Sequence, residues 1–95
     1  MVIEGMANVF ITGCSSGFGL LTALRFARAG DHVTATMRTP EGAPTELTGP
    51  IAAEKLPITL GRLDVCDPAS VTDAVRAAGT IDVLVNNAGI ELRSS

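Results

Sequence analysis

The sequence has no cluster of lysines and arginines, and its 95 residues carry a net charge of −3. Nucleic acid is therefore not an expected partner, because binding it requires a concentrated positive surface. No apolar run approaches the length that spans a bilayer, and the first ten residues contain no basic region ahead of an apolar core. Neither membrane insertion nor secretion has support in the sequence, so a cytoplasmic protein is expected.

Cysteine, histidine and aromatic residues are also scarce. Cys14 and Cys66 lie far apart, form no Cys-x-x-Cys motif and have only His32 as a possible partner ligand, so no metal site is expected. We interpret both cysteines as small buried residues. Tryptophan and tyrosine are absent. Hydrophobic residues make up 46% of the chain and charged residues 18%. This is the composition of one small globular domain or of part of one.

Four short apolar or β-branched segments, each bounded by turn-forming residues, predict strands. They span 8–13, 32–38, 58–65 and 81–89. Apolar residues at helical spacing predict helices over 17–29 and 67–79. This alternation predicts an α/β fold with a parallel sheet of strand order 3-2-1-4 and flanking helices, the nucleotide-binding half of a doubly wound fold.

The helical segments also indicate where they begin and which side they bury. Asp67 is predicted to cap the second helix, with Pro68 in its first turn. The linker 39–57 holds four of the five prolines, and we predict at most a short helix over 51–56 within it. The apolar residues assigned to the buried sides are Leu20, Leu21, Leu24, Phe26 and Ala27 in the first helix and Val71, Ala74, Val75 and Ala78 in the second.

The segment TGCSSGFG, residues 12–19, joins the first strand to the first helix. The first backbone N–H groups of a helix have no partner inside the helix, and with the helix dipole they favour a bound phosphate. The later glycines of the segment would let a pyrophosphate approach the backbone. Hydroxyl groups of Thr12, Ser15 and Ser16 could donate to it. In open parallel sheets such ligands bind at the carboxyl ends of the strands, where the strand order reverses.

Three motifs lie at that predicted edge of the sheet. They are Thr12-Gly13-x-x-x-Gly17-x-Gly19, Asp64-Val65 and Asn86-Asn87-Ala88-Gly89. In these motifs the chain resembles the short-chain dehydrogenase/reductase family, which has a T-G-x-x-x-G-x-G cofactor loop, an aspartate near the adenine and an N-N-A-G stretch after the fourth strand. The resemblance implies an NAD(P)-binding Rossmann-like fold, of which this chain would be the incomplete N-terminal half.

The resemblance also implies roles for individual residues. The glycine loop would bind the pyrophosphate, and Asp64 would accept a hydrogen bond from the adenine amino group. Asn86 and Asn87 would tie the fourth strand to its neighbours, while the backbone at Ala88 and Gly89 would face the cofactor. The predicted cofactor-binding residues are Thr12, Gly13, Ser15, Ser16, Gly17, Phe18, Gly19, Arg38, Asp64, Val65, Asn86, Ala88 and Gly89.

The end of the second strand predicts which nicotinamide cofactor is bound. NAD-binding proteins place an acidic residue there to accept from the ribose 2′-hydroxyl, whereas an arginine accommodates the 2′-phosphate of NADP. Here Met37 takes the place of the family's acidic residue and Arg38 follows it. A guanidinium is well suited to a phosphate, so we predict NADP in preference to NAD.

The family's catalytic tyrosine, lysine, serine and further asparagine all lie beyond the N-N-A-G stretch. This chain has no tyrosine, and its only lysine, Lys55, falls in the linker before the third strand. No catalytic residue is therefore predicted in it, because nothing at the site offers a suitable general acid. We expect the cofactor-binding half, residues 1–95, of an oxidoreductase acting on a small carbonyl or alcohol substrate. It would be a truncated product or a fragment, inactive alone.

Two other functions use similar loops. A non-catalytic dinucleotide-binding or sensing module would not need the missing tyrosine and lysine. A methyltransferase half that binds S-adenosylmethionine also has a glycine-rich first loop, but it usually closes the second strand with an acid, which Met37 and Arg38 argue against. The fourth strand is almost wholly apolar and would lack a neighbour on one side, so self-association or aggregation is predicted.

Overall fold

The computed structural model of the protein describes residues 7–87, which form four strands, three α-helices and one 3₁₀ turn. In chain order these are β1 (Asn8–Ile11), α1 (Gly17–Arg28), β2 (His32–Met37), the 3₁₀ turn (Pro40–Gly42), α2 (Thr45–Glu54), β3 (Ile58–Arg62), α3 (Pro68–Ala78) and β4 (Val83–Val85). Within this described part of the chain, no helix is long and apolar enough to cross a membrane.

The four strands form one parallel sheet in the order β3-β2-β1-β4. This confirms the predicted order and the α/β architecture. β1 lies at the centre, paired with β2 on one side and with β4 on the other. The chain runs from β1 outward to β2 and β3, and then returns to place β4 on the other side of β1. The strand order therefore reverses at β1, and the loops that follow β1, β2 and β4 meet at the carboxyl edge of the sheet.

The two faces of the sheet differ in composition. One, which we call the apolar face, is packed against α1 and α2. Its buried strand residues are Val9, Ile11, Val33, Ala35 and Met37, and the helices add Leu20, Ala23, Leu24, Ala27 and Leu47 to the same core. Most of the buried apolar residues lie on this face, although Phe10, on the opposite face, is also fully buried.

The opposite face, which we call the threonine face, carries Phe10, Thr34, Thr36, Thr59 and Leu84, as the strand register requires. α3 covers it loosely. None of the residues of α3 is fully buried, and a groove of about 690 Å³ runs between this helix and the strands. Leu84, on the edge strand, is 64% exposed.

α2 corrects the prediction for the linker. The helix has ten residues although Pro50 lies inside it, and the sequence predicted at most a short helix starting at Ile51. Leu47 is fully buried in the core and Ile51 packs against it. Burial of this apolar side outweighs the hydrogen bond that a proline removes from the helix.

Three predictions of burial were wrong. Leu21 in α1 is 62% exposed and Val75 in α3 is 42% exposed, because each lies to one side of the stripe that its helix turns to the sheet. Cys66 is exposed in the loop after β3, whereas Cys14 is buried as predicted. The Asp67 cap is confirmed, since its carboxylate accepts from the N–H of Ala69 at 3.1 Å.

An ion pair joins α1 to α2 at the protein surface. Arg28 donates from Nε to Oε1 of Glu54 at 2.9 Å and from Nη2 to Oε2 at 2.7 Å. These hydrogen bonds hold the pKa of Glu54 below its ordinary value and raise the pKa of Arg28. Both side chains are close to half exposed, so water screens the pair and its contribution to stability is small.

Candidate cofactor site

The loop between β1 and α1 lies at the carboxyl edge of the sheet, where the glycine motif predicted a phosphate site. Its middle residues, Ser15 to Phe18, are exposed, and Phe18 is 74% exposed. Ser16 precedes the first residue of α1, and no side-chain hydrogen bond caps the helix there. The first turn of α1 also contains no acidic residue. The amino end of this helix is therefore open to an anion.

A single peptide group fixes the start of this loop. Gly13 has a φ of 68°, in the left-handed region that favours glycine. Its carbonyl oxygen accepts from Nδ2 of Asn87 at 3.2 Å, and the N–H of Cys14 donates to the carbonyl oxygen of Thr36 at 3.0 Å. The peptide between Gly13 and Cys14 is therefore held by the end of β2 on one side and by the residues after β4 on the other.

Thr12 holds the same loop to the end of β4. Its N–H donates to the carbonyl oxygen of Val85 at 3.0 Å, and its hydroxyl donates to Oδ1 of Asn86 at 3.1 Å. The hydroxyl oxygen in turn accepts from the N–H of Asn87 at 2.9 Å. These bonds confirm that the two asparagines tie the fourth strand to its neighbour. They also give the Thr12 hydroxyl partners inside the protein, rather than the outward role in which the sequence placed it.

Two positions of the motif require glycine for different structural reasons. A Cβ at Gly19 would overlap the carbonyl oxygen of Gly13 and come within 2.9 Å of Nδ2 of Asn87. Only glycine lets α1 approach the loop this closely. Gly17 has a φ of 61°, and a Cβ there would have no neighbour within 4 Å. It opens α1 in the left-handed conformation and leaves clear space beside the backbone.

The end of β2 presents a charged side chain beyond a buried one. Met37 is 4% exposed and belongs to the apolar core. Arg38 follows it and is exposed, and it makes no hydrogen bond or ion pair with any residue in 7–87. Its guanidinium is available to a ligand at this edge, with no carboxylate closing the strand beside it.

The loop after β3 orients Asp64. Oδ1 of Asp64 accepts from the N–H of Cys66 at 3.0 Å, and the backbone N–H of Asp64 donates to Oγ of Ser70 at 2.9 Å. Asp64 and Val65 are both half-buried. The turn thus fixes one carboxylate oxygen of Asp64, while Oδ2 has no hydrogen bond among residues 7–87. The predicted site residues Ala88 and Gly89 lie outside the described residues.

The sequence profile of the short chain dehydrogenase family matches residues 7–95. The chain belongs to the short chain dehydrogenase family.

Relatives in this family align with almost all of the chain but with only part of their own length. Human retinol dehydrogenase 5 is 46% identical over an alignment of 91 positions that covers 88% of this chain and 27% of the relative. Gluconate 5-dehydrogenase of Gluconobacter oxydans is 38% identical over an alignment of 92 positions that covers 93% of this chain and 36% of the relative. The chain therefore spans about a quarter to a third of the length of these short chain dehydrogenases.

Solved structures of short chain dehydrogenases have the same fold. A carbonyl reductase from Pseudomonas aeruginosa in complex with NADP superposes with a TM-score of 0.76 at 29% identity, covering 85% of this chain and 37% of the reductase. A gluconate 5-dehydrogenase from Burkholderia cenocepacia in complex with NADP and tartrate gives a TM-score of 0.72 at 33% identity, covering 85% and 33%. The match to the family profile, over residues 7–95, includes the region that carries the candidate site.

Asn87 is the residue of this site that the sequence placed incompletely. It was predicted to tie β4 to its neighbours, but it was not among the predicted cofactor-binding residues. The structure shows that its side chain also holds the first turn of the glycine loop through Gly13. The doubled asparagine in the N-N-A-G stretch was the available signal, because the side chain of Asn86 bonds Thr12 and the side chain of Asn87 bonds the Gly13 carbonyl.

Proposed function

We propose that this chain is the NADP(H)-binding portion of a short-chain oxidoreductase that transfers hydride between nicotinamide and a carbonyl or alcohol substrate. The peptide between Gly13 and Cys14, held from both neighbouring strands, is the observation that carries the proposal. It supports a glycine loop with a fixed shape whose exposed part, Ser15 to Phe18, borders the open amino end of α1. Backbone N–H groups there would bind the pyrophosphate.

The other site residues would surround the rest of the dinucleotide. Asp64 would accept from the adenine amino group through its unbonded oxygen, with Val65 beside it. The backbone at Ala88 and Gly89 would face the cofactor from beyond β4. When bound, the nicotinamide would supply the hydride chemistry, and the residues of this chain would bind and orient it.

The preference for NADP rests on Arg38. Its exposed guanidinium has no partner within residues 7–87, and the buried Met37 leaves no acid to repel a 2′-phosphate. The two solved relatives described above were determined with NADP, which is consistent with this preference.

Calorimetric titration of the chain with NADPH and NADH tests the proposal. We expect tighter binding of NADPH, and we expect Arg38→Ala to weaken NADPH binding about tenfold with little effect on NADH, since a charge-assisted contact is lost. Arg76→Ala, which removes an exposed arginine from α3, is the matched control and should change neither affinity. A dissociation constant for NADPH no lower than that for NADH would contradict the NADP preference.

We further propose that the 95-residue chain does not by itself reduce carbonyl compounds. Its sequence contains no tyrosine, and Lys55 lies between α2 and β3, at the edge of the sheet opposite the glycine loop. NADPH oxidation by the purified chain in the presence of carbonyl substrates would overturn this part of the proposal.

Self-association through β4 is also proposed. The carbonyl oxygen of Val85 accepts from the N–H of Thr12, the residue after β1. Backbone groups alternate in direction along a strand, so Leu84 turns its N–H and C=O outward. The exposed Leu84 side chain adds apolar surface to this edge. A single monomeric species by light scattering at high concentration would count against it.

A further inference from the structure

We propose that Thr36 is a positioning residue that fixes the distance between the pyrophosphate-binding loop and the NADP-selecting end of β2. This inference rests on the function proposed above and deepens it. Thr36 does not reach the carboxyl edge itself, because it lies within β2 and its side chain is fully buried. Its effect on a cofactor would pass through the backbone on both sides of it.

Thr36 makes one hydrogen bond to the strand that precedes the loop and one to the loop itself. Its hydroxyl donates to the carbonyl oxygen of Ile11, the last residue of β1, at 2.8 Å. Its own carbonyl oxygen accepts from the N–H of Cys14 at 3.0 Å. The remaining side-chain bond to the Ile11 carbonyl comes from Sγ of Cys14 at 3.5 Å, and a thiol is a weak donor. The threonine hydroxyl is therefore the principal side-chain link between β2 and the chain that leads into the loop.

The position of Thr36 in β2 explains why this link would affect the affinity for NADPH. Arg38 follows two residues later and is the residue that would contact a 2′-phosphate. The Gly13–Cys14 peptide, bonded to Thr36, sets the turn of the loop that would contact the pyrophosphate. NADPH would touch both places at once, so its affinity depends on their separation. A ligand that touches only one of them would not sense that separation.

The test compares Thr36→Val with Thr34→Val. Valine keeps the shape of threonine and removes the hydroxyl. Thr34 lies on the same strand and the same face, and its hydroxyl makes no hydrogen bond within residues 7–87, so it is a matched control. Without the Thr36 hydroxyl, the separation between the glycine loop and Arg38 that suits NADPH would be only partly populated. We therefore expect the dissociation constant of NADPH to rise about tenfold. Thr34→Val should leave it within about twofold of the unsubstituted chain.

Two further readouts separate positioning from loss of structure. Adenosine 2′-monophosphate, which would engage Arg38 without the loop, should bind Thr36→Val as it binds the unsubstituted chain. Thr36→Ser, which restores the hydroxyl, should recover most of the NADPH affinity. If Thr36→Val is unfolded by circular dichroism, both valine variants are measured in sucrose, which favours the folded state.

The outcomes distinguish this inference from the proposed function. If the unsubstituted chain fails to bind NADPH, the proposed function fails. If it binds NADPH but Thr36→Val behaves like Thr34→Val, or loses affinity equally for NADPH and adenosine 2′-monophosphate, the positioning role alone is overturned.

Discussion

The apolar face and the threonine face belong to one four-stranded sheet, yet they are covered to different degrees. α1 and α2 close the apolar face with fully buried residues such as Ala23 and Leu47, whereas α3 leaves a groove of about 690 Å³ on the other. Parallel strands are usually buried on both sides. The difference shows that α1 and α2 supply most of the buried core of the sheet, whereas Thr36, whose hydroxyl bonds the end of β1, lies on the more open face.

The largest effect is expected from breaking the closed face. Leu47→Ala removes a fully buried side chain from the core and should lower the free energy of unfolding by about 2–5 kcal/mol. Val75→Ala, on the exposed side of α3, is the control and should change it by less than about 0.5 kcal/mol. Urea denaturation followed by circular dichroism measures both. Equal losses would mean that the two faces contribute alike.

The next effect concerns the contact between α1 and the glycine loop. Gly19→Ala would force α1 away from the Gly13 carbonyl, so we expect a loss of about 1–3 kcal/mol in stability together with weaker NADPH binding. Gly42→Ala, in the 3₁₀ turn, is the control, because a Cβ there would meet only the methyl group of Thr39, at 3.9 Å. We expect it to change stability by less than about 0.5 kcal/mol. Similar changes in both variants would refute the close-approach argument.

A smaller effect is expected at the open end of the sheet. Leu84→Lys places a charge on the exposed edge strand and should reduce self-association while changing stability by less than about 0.5 kcal/mol. Sedimentation velocity over a range of concentrations reports the change. If the oligomer distribution of Leu84→Lys matches that of the unsubstituted chain, the contact surface does not include β4.

The smallest effect lies on the outer surface of α1 and α2. Because the pKa of Glu54 is held below its ordinary 4.5, its pairing with Arg28 contributes stability above that pH, and the contribution is lost as pH falls through the lowered value. Glu54→Gln should therefore flatten the acid side of the stability profile slightly. Glu46→Gln, also in α2, is the control. Thermal unfolding from neutral to acidic pH measures this, and identical profiles for Glu54→Gln and the unsubstituted chain would contradict it.

Much of the fold follows from local signals in the sequence. The strand order was predictable because each apolar segment ends at a turn signal and the crossovers of parallel strands have a fixed hand. α2 was underestimated because the prolines were given more weight than the apolar spacing of Leu47 and Ile51. The exposure of Leu21 was missed because periodicity alone does not give the width of the stripe that the sheet covers.

The candidate site was predictable at the level of motifs and not of contacts. The strand, loop and helix pattern predicted where the glycine loop lies, but not that Gly19 lets α1 approach the Gly13 carbonyl. The bond between Gly13 and Asn87 spans 74 residues, and that between Ile11 and Thr36 spans 25. Such contacts depend on the register of strands in the sheet, which local propensity does not determine. The importance of Thr36 was therefore invisible in the sequence, where it is one more β-branched residue in a strand.

The peptide between Gly13 and Cys14 has a thermodynamic consequence. To rotate, it would have to break its bonds to Asn87 and Thr36 at the same time, so the turn is rigid before any ligand arrives. A binding loop that must be ordered by its ligand loses conformational entropy in the process. At this peptide that loss has already occurred on folding. A dinucleotide would bind a turn that is already ordered, so less of its binding free energy would be lost in ordering the loop.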